Sequence, residues 1–417
     1  MTAIARLPNP FGAEPHAYSR RLKVLVIGEE IPYPPDAGKR IRTWNLLRRL
    51  ATRHSLSYLC YGLSNDPAVD ALELAGIHVH TVKPLRKLRG WPLYIRLFAN
   101  LFSFYPYSVV KHFSKRFDQE LRTLLNKCAF DLVHYEGTHC ARYLSSVASL
   151  PRVLGTHNIE SQIWSRRARF GRTRVEQVFF GSQAIKMRSF ERRALLRSEY
   201  AIAVTLQDAR QMFDWGVPNV ALVPNGVELE AYQTDFNAVR SCELLFLGAL
   251  DWYPNIDALQ HFINEILPLI LSVQPNAVLR VVGRRPPESL RDIVAGNRNV
   301  EIVGEVKDVR PYLRSAGVVV VPLRIGGGSR IKILEALAAA KAVVSTSVGA
   351  EGLELKAGEH IQLADTSSRF AEITAALMDD QRERSRLGNN GRRFVSERYS
   401  WDSIAIKLES VWSSLAG

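Results

Sequence analysis

A chain of 417 residues is longer than one hydrophobic core supports and suits two domains of roughly 200 residues each. Hydrophobic residues make up 47% and charged residues 23%, an ordinary globular balance. No apolar run approaches the ~18 residues of a spanning helix, so no segment is expected to cross a bilayer. The 55 Lys and Arg against 41 Asp and Glu leave a net charge of +14, which calls for an anionic partner: nucleic acid, anionic lipid or a nucleotide-sugar.

Residues 1–20 lack the apolar core of a secretory signal, carry Pro8, Pro10 and Pro15, and read as a flexible tail. Residues 22–28, LKVLVIG, read as a buried strand, and the loop behind it holds Pro32, Pro34, Pro35 and Gly38 before an amphipathic helix at 41–50. A dinucleotide fingerprint needs three glycines at GxGxxG spacing in this turn; only Gly28 and Gly38 are present, which argues against an oxidoreductase. Further strands are expected at 56–61, 77–82, 131–135, 152–156, 200–204 and 220–223, separated by helical segments, and that alternation implies a parallel sheet with helices on both faces. Cys60, Cys128, Cys140 and Cys242 are scattered without metal or disulfide spacing and fit a reducing cytoplasm.

Residues 83–117 interleave Arg86, Lys87, Arg89 and Arg96 with Trp91, Tyr94, Phe98 and further aromatics. That mixture suits a membrane interface, suits single-stranded nucleic acid, and also suits structural helices with solvated charges. A second basic run at 166–197, with Trp164, Phe179 and Phe180, extends one positive face or is the exposed side of a long helix. The loop after the strand at 152 reads Gly155-Thr156-His157-Asn158-Ile159-Glu160, where a lone His is by itself an ordinary hydrogen-bonded loop residue.

Pro224-Asn225-Gly226-Val227-Glu228 marks a seam, and a second series of strands follows at 244–248, 278–283, 300–304, 318–321, 342–346 and 360–363, with helices at 256–272 and 403–415. Residues 318–349 within it, VVVVPLRIGGGSRIKILEALAAAKAVVSTSVG, read strand, glycine loop, helix, strand. Gly326-Gly327-Gly328 breaks the chain, Ser329 can cap the helix, and the amides of residues 330–332 then point from its positive end. Arg330 and Lys332 sit in that first turn against the macrodipole's preference, which a bound anion would offset; otherwise they simply face water. Glu335 lies one turn on, where a carboxylate would accept hydrogen bonds from ribose hydroxyls.

Ser329-Arg330-Ile331-Lys332-Ile333-Leu334-Glu335-Ala336, followed by Ser345-Thr346-Ser347-Val348-Gly349-Ala350-Glu351-Gly352, resembles the donor-site region of the retaining GT-B glycosyltransferases of family 4, most closely bacterial sugar transferases of exopolysaccharide synthesis. The resemblance runs from Lys23 to about Trp412 and is looser over 60–150. It implies an α/β fold of two doubly wound Rossmann-like domains facing across a cleft, at 21–227 and 228–400, with 401–417 a helix crossing back to the first. It implies transfer of a sugar from a UDP- or GDP-linked donor to a glycan acceptor, lipid-linked in our reading, on the cytoplasmic face of the plasma membrane. The matching positions give His157, Arg330 and Lys332 catalytic roles, with Glu160 orienting His157. They put Gly38, Asn225, Gly226, Val306, Gly327, Gly328, Ser329, Ile331 and Glu335 at the donor, with the backbone of Gly304-Glu305-Val306 against the base. In this family reading Arg86, Lys87, Arg89, Trp91 and Arg96 form a membrane or acceptor face, and no nucleic acid partner is expected.

Without an Asp-x-Asp motif, the chemistry is expected to need neither metal nor other cofactor, cations and amides stabilising the departing diphosphate. Two positions depart from the pattern. Gly327 stands where the family has a Glu, and Ala249-Leu250-Asp251-Trp252-Tyr253 lacks the Arg and Lys common there. A nucleotide-sugar epimerase or a catalytically silent scaffold on the same fold are the alternative readings.

Overall fold

Thirteen strands form two wholly parallel sheets in the computed structural model, which describes residues 20–416 apart from 86, 87, 89, 148, 170–172, 233–238, 289, 291–293, 295, 296 and 326–329. The tail expected at 1–20 therefore lies outside the described residues but for Arg20. The chain divides into two compact units: the chain through Pro224 together with the segment from Asp402 onward, and the span from Asn225 to Trp401.

The first unit's sheet has the order β3-β2-β1-β4-β5-β6-β7. Its strands are β1 (Lys23–Ile27), β2 (Ser55–Tyr61), β3 (Ile77–Val82), β4 (Leu132–Glu136), β5 (Arg152–Gly155), β6 (Tyr200–Ala203) and β7 (Val220–Leu222). The core strand β1 pairs in parallel with β2 (Leu25 opposite Ser57) and with β4 (Leu25 opposite Val133). Its KVLVI run is buried beyond the first residue, as a parallel strand covered on both faces must be. The strand order reverses between β1 and β4, so the loops leaving their C-terminal ends splay apart and open a crevice.

Helix α1 (Gly38–Leu50) starts three residues before the apolar periodicity does, because its first turn faces charge rather than core: Lys39 pairs with Glu29 and Arg40 with Glu30. The last helix of the chain, Trp401–Leu415, packs its later turns on this unit. Trp412 is fully buried and its Nε1 donates to His134 Nδ1 at 3.2 Å, while Glu409 holds His54 at 2.9 Å and Arg53 at 2.8 Å.

The second unit's sheet has the order β10-β9-β8-β11-β12-β13. Its strands are β8 (Arg240–Leu247), β9 (Val278–Val282), β10 (Val300–Gly304), β11 (Ala316–Val321), β12 (Ala342–Ser345) and β13 (Gln362–Leu363). Here the order reverses between β8 and β11. Among the described residues one helix, Tyr253–Val273, is long and apolar enough to cross a membrane, a length that the polar interruptions Asp257, His261 and Glu265 conceal in the sequence. Its Leu259, Phe262, Ile263, Ile266, Leu267 and Ile270 are buried in the core of the second unit, so it is a core helix with a π turn at Phe262–Ile266.

Candidate functional site

Each unit carries a cluster of buried polar groups at its own reversal point. In the first unit, the segments leaving β1, β4 and β5 bring together residues more than a hundred positions apart. Glu29 follows β1, Gly38 and Lys39 open α1, Gly137 and His139 follow β4, and His157 and Asn158 follow β5. These seven line a cavity of about 150 Å³. Gly137 adopts φ +109°, a left-handed turn open to glycine, and a Cβ there would stand 3.2 Å from Glu29 Oε1.

Charge in this cavity is paired. Glu29 accepts from Lys39 and from His139 Nδ1 at 2.9 Å. Burial opposes its ionisation, but Lys39 and His139 outweigh that and hold its carboxyl well below the usual range. Burial likewise opposes the charges of Lys39 and His139, yet Glu29 raises both above their ordinary values. His112, tilted against the His139 ring at 5.1 Å, is driven by burial down to about 4.

His157, expected as the catalytic histidine, is also brought by burial down to about 4 despite Glu136, so it is neutral near pH 7. Its Nε2 lies 3.4 Å from Glu136 Oε1. Glu160, expected to orient it, opens helix α2 (Glu160–Arg169) and lines the same cavity, its backbone amide donating to Glu191 Oε1 at 2.7 Å. The carboxylate found beside His157 Nε2, that of Glu136, is a residue that the sequence reading passed over. Its signal was nonetheless present: in the buried strand LVHYE, His134 and Glu136 are two apart and share a face, an unusual load for a core strand.

In the second unit, helix α3 (Ile331–Ala338) follows β11. Of the glycine loop, Gly327 and Gly328 lie outside the described residues, as does Ser329 with the cap expected of it; the helix is preceded by Arg330 at the N-cap position, without a side-chain cap bond. Arg330 is buried and Lys332 half-buried, and both are engaged by protein groups. Arg330 is 6% exposed, its Nη2 donating to Val348 O at 2.7 Å and standing 3.5 Å from Glu351. Lys332 Nζ donates to Asn255 Oδ1 at 2.7 Å and sits where a Cβ on Gly248, at the end of β8, would meet it at 2.8 Å. The glycine thus leaves room for the ammonium. Burial, with Arg330 adding to it, brings Lys332 down to about 7.

Glu335, one turn along, accepts from Tyr232 Oη at 2.9 Å, and burial pushes it up to about 7 against the opposing pull of Tyr232 and Lys332. An ammonium and a carboxyl that both titrate near neutrality, beside a helix N-terminus, make a cluster poised to take up a charged ligand. Ile331 and Asn225 are buried, and Val306 packs half-buried on the core. Gly226 has a packing reason of its own: a Cβ there would stand 2.7 Å from the Trp401 ring.

The basic aromatic stretch forms helix Trp91–Asn100, whose buried residue is Asn100. Trp91 is 79% exposed, and Tyr94, Ile95 and Phe98 each about two-thirds exposed, with Arg96 exposed among them. Arg86, Lys87 and Arg89 lie outside the described residues. The helix is moored at its C-terminal end: Asn100 accepts from Gln183 and Lys186 on the helix Arg174–Leu195 at 3.0 and 2.7 Å. The apolar side is thereby left unpacked. On the second basic run, Arg167 stacks on Phe180 at 4.3 Å, and Val175, Val178 and Ile185 are exposed.

Residues 38–231 match the family described as Glycosyltransferase Family 4, and residues 241–380 match the one described as Glycosyl transferases group 1. An uncharacterised 44.6 kDa protein of the cps region of Klebsiella pneumoniae is 21% identical over 90% of this chain and 96% of its own. The GDP-mannose-dependent monoacylated alpha-(1-6)-phosphatidylinositol monomannoside mannosyltransferase of Corynebacterium glutamicum is 26% identical over 47% of this chain, a match spanning 57% of that enzyme. Among solved structures, Anabaena HepE in complex with UDP superposes with a TM-score of 0.69 at 14% identity, covering 94% of this chain and all of that one.

Proposed function

The chain belongs to the family 4, group 1 glycosyltransferases of GT-B fold, and from that membership we propose that it is a retaining hexosyltransferase of polysaccharide biosynthesis. Its donor is a UDP- or GDP-linked sugar and its acceptor a lipid-linked glycan at the anionic inner face of the membrane. Support for the donor type comes from the relative named for GDP-mannose and the neighbour solved with UDP. Support for polysaccharide synthesis comes from the cps-region relative.

The observation that carries the reading is the Arg330, Lys332 and Glu335 cluster at the start of α3. A diphosphate beside Lys332 would favour its charged form and relieve the cost of burying an ammonium, and ribose hydroxyls would donate to Glu335 as Tyr232 does. In this reading Arg330 and Lys332 stabilise charge growing on the leaving diphosphate, the leaving phosphate takes the acceptor proton, and His157 meets the transferred sugar. Gly38, Asn225, Gly226, Val306, Gly327, Gly328, Ser329 and Ile331 complete the donor contacts through backbone and small side chains. EDTA is accordingly expected to leave transfer intact.

Calorimetry with UDP and GDP tests the cluster. Glu335→Gln removes a charged acceptor, each such hydrogen bond being worth about 1.5–3 kcal/mol, so the preferred nucleotide should bind roughly ten- to a hundredfold more weakly. Unchanged affinity would remove Glu335 from the donor site. Turnover of a panel of UDP- and GDP-sugars, with the anomeric configuration of the product read by NMR, tests transfer and retention.

A further inference from the structure

A line of contacts runs from the last helix of the chain to His157. Trp412 Nε1 carries a hydrogen and gives it to His134 Nδ1 at 3.2 Å, so the His134 proton must reside on Nε2. That nitrogen lies 2.8 Å from Glu136 Oε2 and donates to it. The other carboxylate oxygen, Oε1, is left toward His157 Nε2 at 3.4 Å, with Arg42 Nε at 3.7 Å and Thr43 Oγ1 at 3.4 Å on its remaining side. Glu136 is 5% exposed and its carboxyl is held below the usual range: burial resists the charge, but the His134 bond, the two neighbouring imidazoles and Arg42 outweigh it.

His157 Nε2 is itself buried and makes no hydrogen bond of good geometry, Glu136 Oε1 standing 3.4 Å from it. A lone pair on that nitrogen would face the lone pairs of an ionised carboxylate with no proton between them, which is the costly arrangement. We propose that Glu136 is a positioning residue that keeps the proton of His157 on Nε2, leaving Nδ1 as an acceptor that His157 presents to a sugar hydroxyl of a substrate. This rests on His157 belonging to the transfer site. Burial is the largest influence on the ring and keeps the imidazole neutral; Glu136 from β4 and Glu29 after β1 favour its protonation, and Lys39 and Arg42 from α1 disfavour it. His139 and Glu160 lie across the same cavity.

A neutral histidine with its acceptor nitrogen free recognises a hydroxyl; a protonated one would recognise phosphate or carboxylate instead. The hydroxyl can belong to the donor sugar or to the acceptor. A donor hydroxyl predicts that Glu136→Gln weakens binding of the intact nucleotide-sugar relative to its free nucleotide, and an acceptor hydroxyl predicts a raised KM for acceptor with donor binding unchanged.

The tautomer is read directly from long-range ¹H–¹⁵N spectra of histidine-labelled wild-type protein, His157 being assigned by its loss in His157→Gln. The proton is expected on Nε2; a proton on Nδ1 overturns the proposal whatever the variants do. Glu136→Gln, whose amide can donate as well as accept, should release the lock and lower turnover of the nucleotide-sugar active with wild type by about 10- to 100-fold, the size seen when carboxylates that orient metal-bound histidines are removed. Wild-type turnover in a folded Glu136→Gln alongside loss in His157→Gln refutes the role of Glu136 alone. Wild-type turnover in His157→Gln refutes the placement of His157 in the transfer site.

Discussion

Lys332 and Glu335 titrate near the same pH from opposite directions, and nucleotide binding should expose this. A diphosphate raises the pKa of Lys332 from about 7, so binding takes up a proton and that contribution fades as pH rises through 7. Hydroxyl donors lower the pKa of Glu335 from about 7, so binding releases a proton and that contribution fades as pH falls through 7. In the wild type the two nearly cancel. Calorimetry near pH ~7 in buffers of different ionisation enthalpy should therefore show little proton exchange for wild type, net uptake for Glu335→Gln and net release for Lys332→Met. One proton count shared by all three proteins would mean that these side chains do not meet the nucleotide.

The same scale shows where the site was legible. Arg330, Lys332 and Glu335 lie within six residues of one another and announce themselves by resemblance. Glu29, Lys39 and His139 do not: their grouping exists only because β1 and β4 are neighbours in a sheet whose order the chain does not spell out. Glu136 needed the further step of asking why a core strand should bury a charge.

At the scale of elements, every strand expected from apolar runs is found, with ends displaced where pairing rather than hydrophobicity decides them. Strand β8 begins at Arg240 instead of 244 because Arg240 pairs with Ala316 of β11, although its first three residues are exposed and polar. The helix Trp91–Asn100 is the opposite case, an element whose pattern was plain but whose apolar side is exposed among the described residues. In the membrane reading, each Lys or Arg near an anionic bilayer contributes about 1 kcal/mol, screened by salt. Reversing Arg86, Lys87, Arg89 and Arg96 to Glu should release the protein from acidic vesicles, and Trp91→Glu with Phe98→Glu should do so even at low salt. Equal sedimentation with neutral and acidic vesicles, or with neither, would remove the bilayer as the partner of this face.

For the whole molecule, the basic excess of +14 and the exposed aromatic helix belong to one expectation, an enzyme held at a surface of negative charge. The two units differ in how they are built from the chain. The second is drawn from one span of sequence; the first is closed by the helix that carries Trp412. Trp412→Ala empties a fully buried site and should cost about 3–5 kcal/mol, seen as a lower Tm. A variant ending at Ser400 should lose the cooperative unfolding of the first unit and bind hydrophobic dyes; a truncated protein that melts like the full chain would show that the helix only decorates a finished core.

That closure sets an order of events during synthesis. The first seven strands leave the ribosome early, yet the tryptophan and the carboxylate of Glu409 that cover their sheet arrive only after the whole second unit has been made. At ~5–20 residues per second this leaves the nascent sheet waiting on the order of ten seconds or more with part of its surface uncovered. A chaperone that shields such surfaces should therefore raise the yield of this protein most when translation is slow.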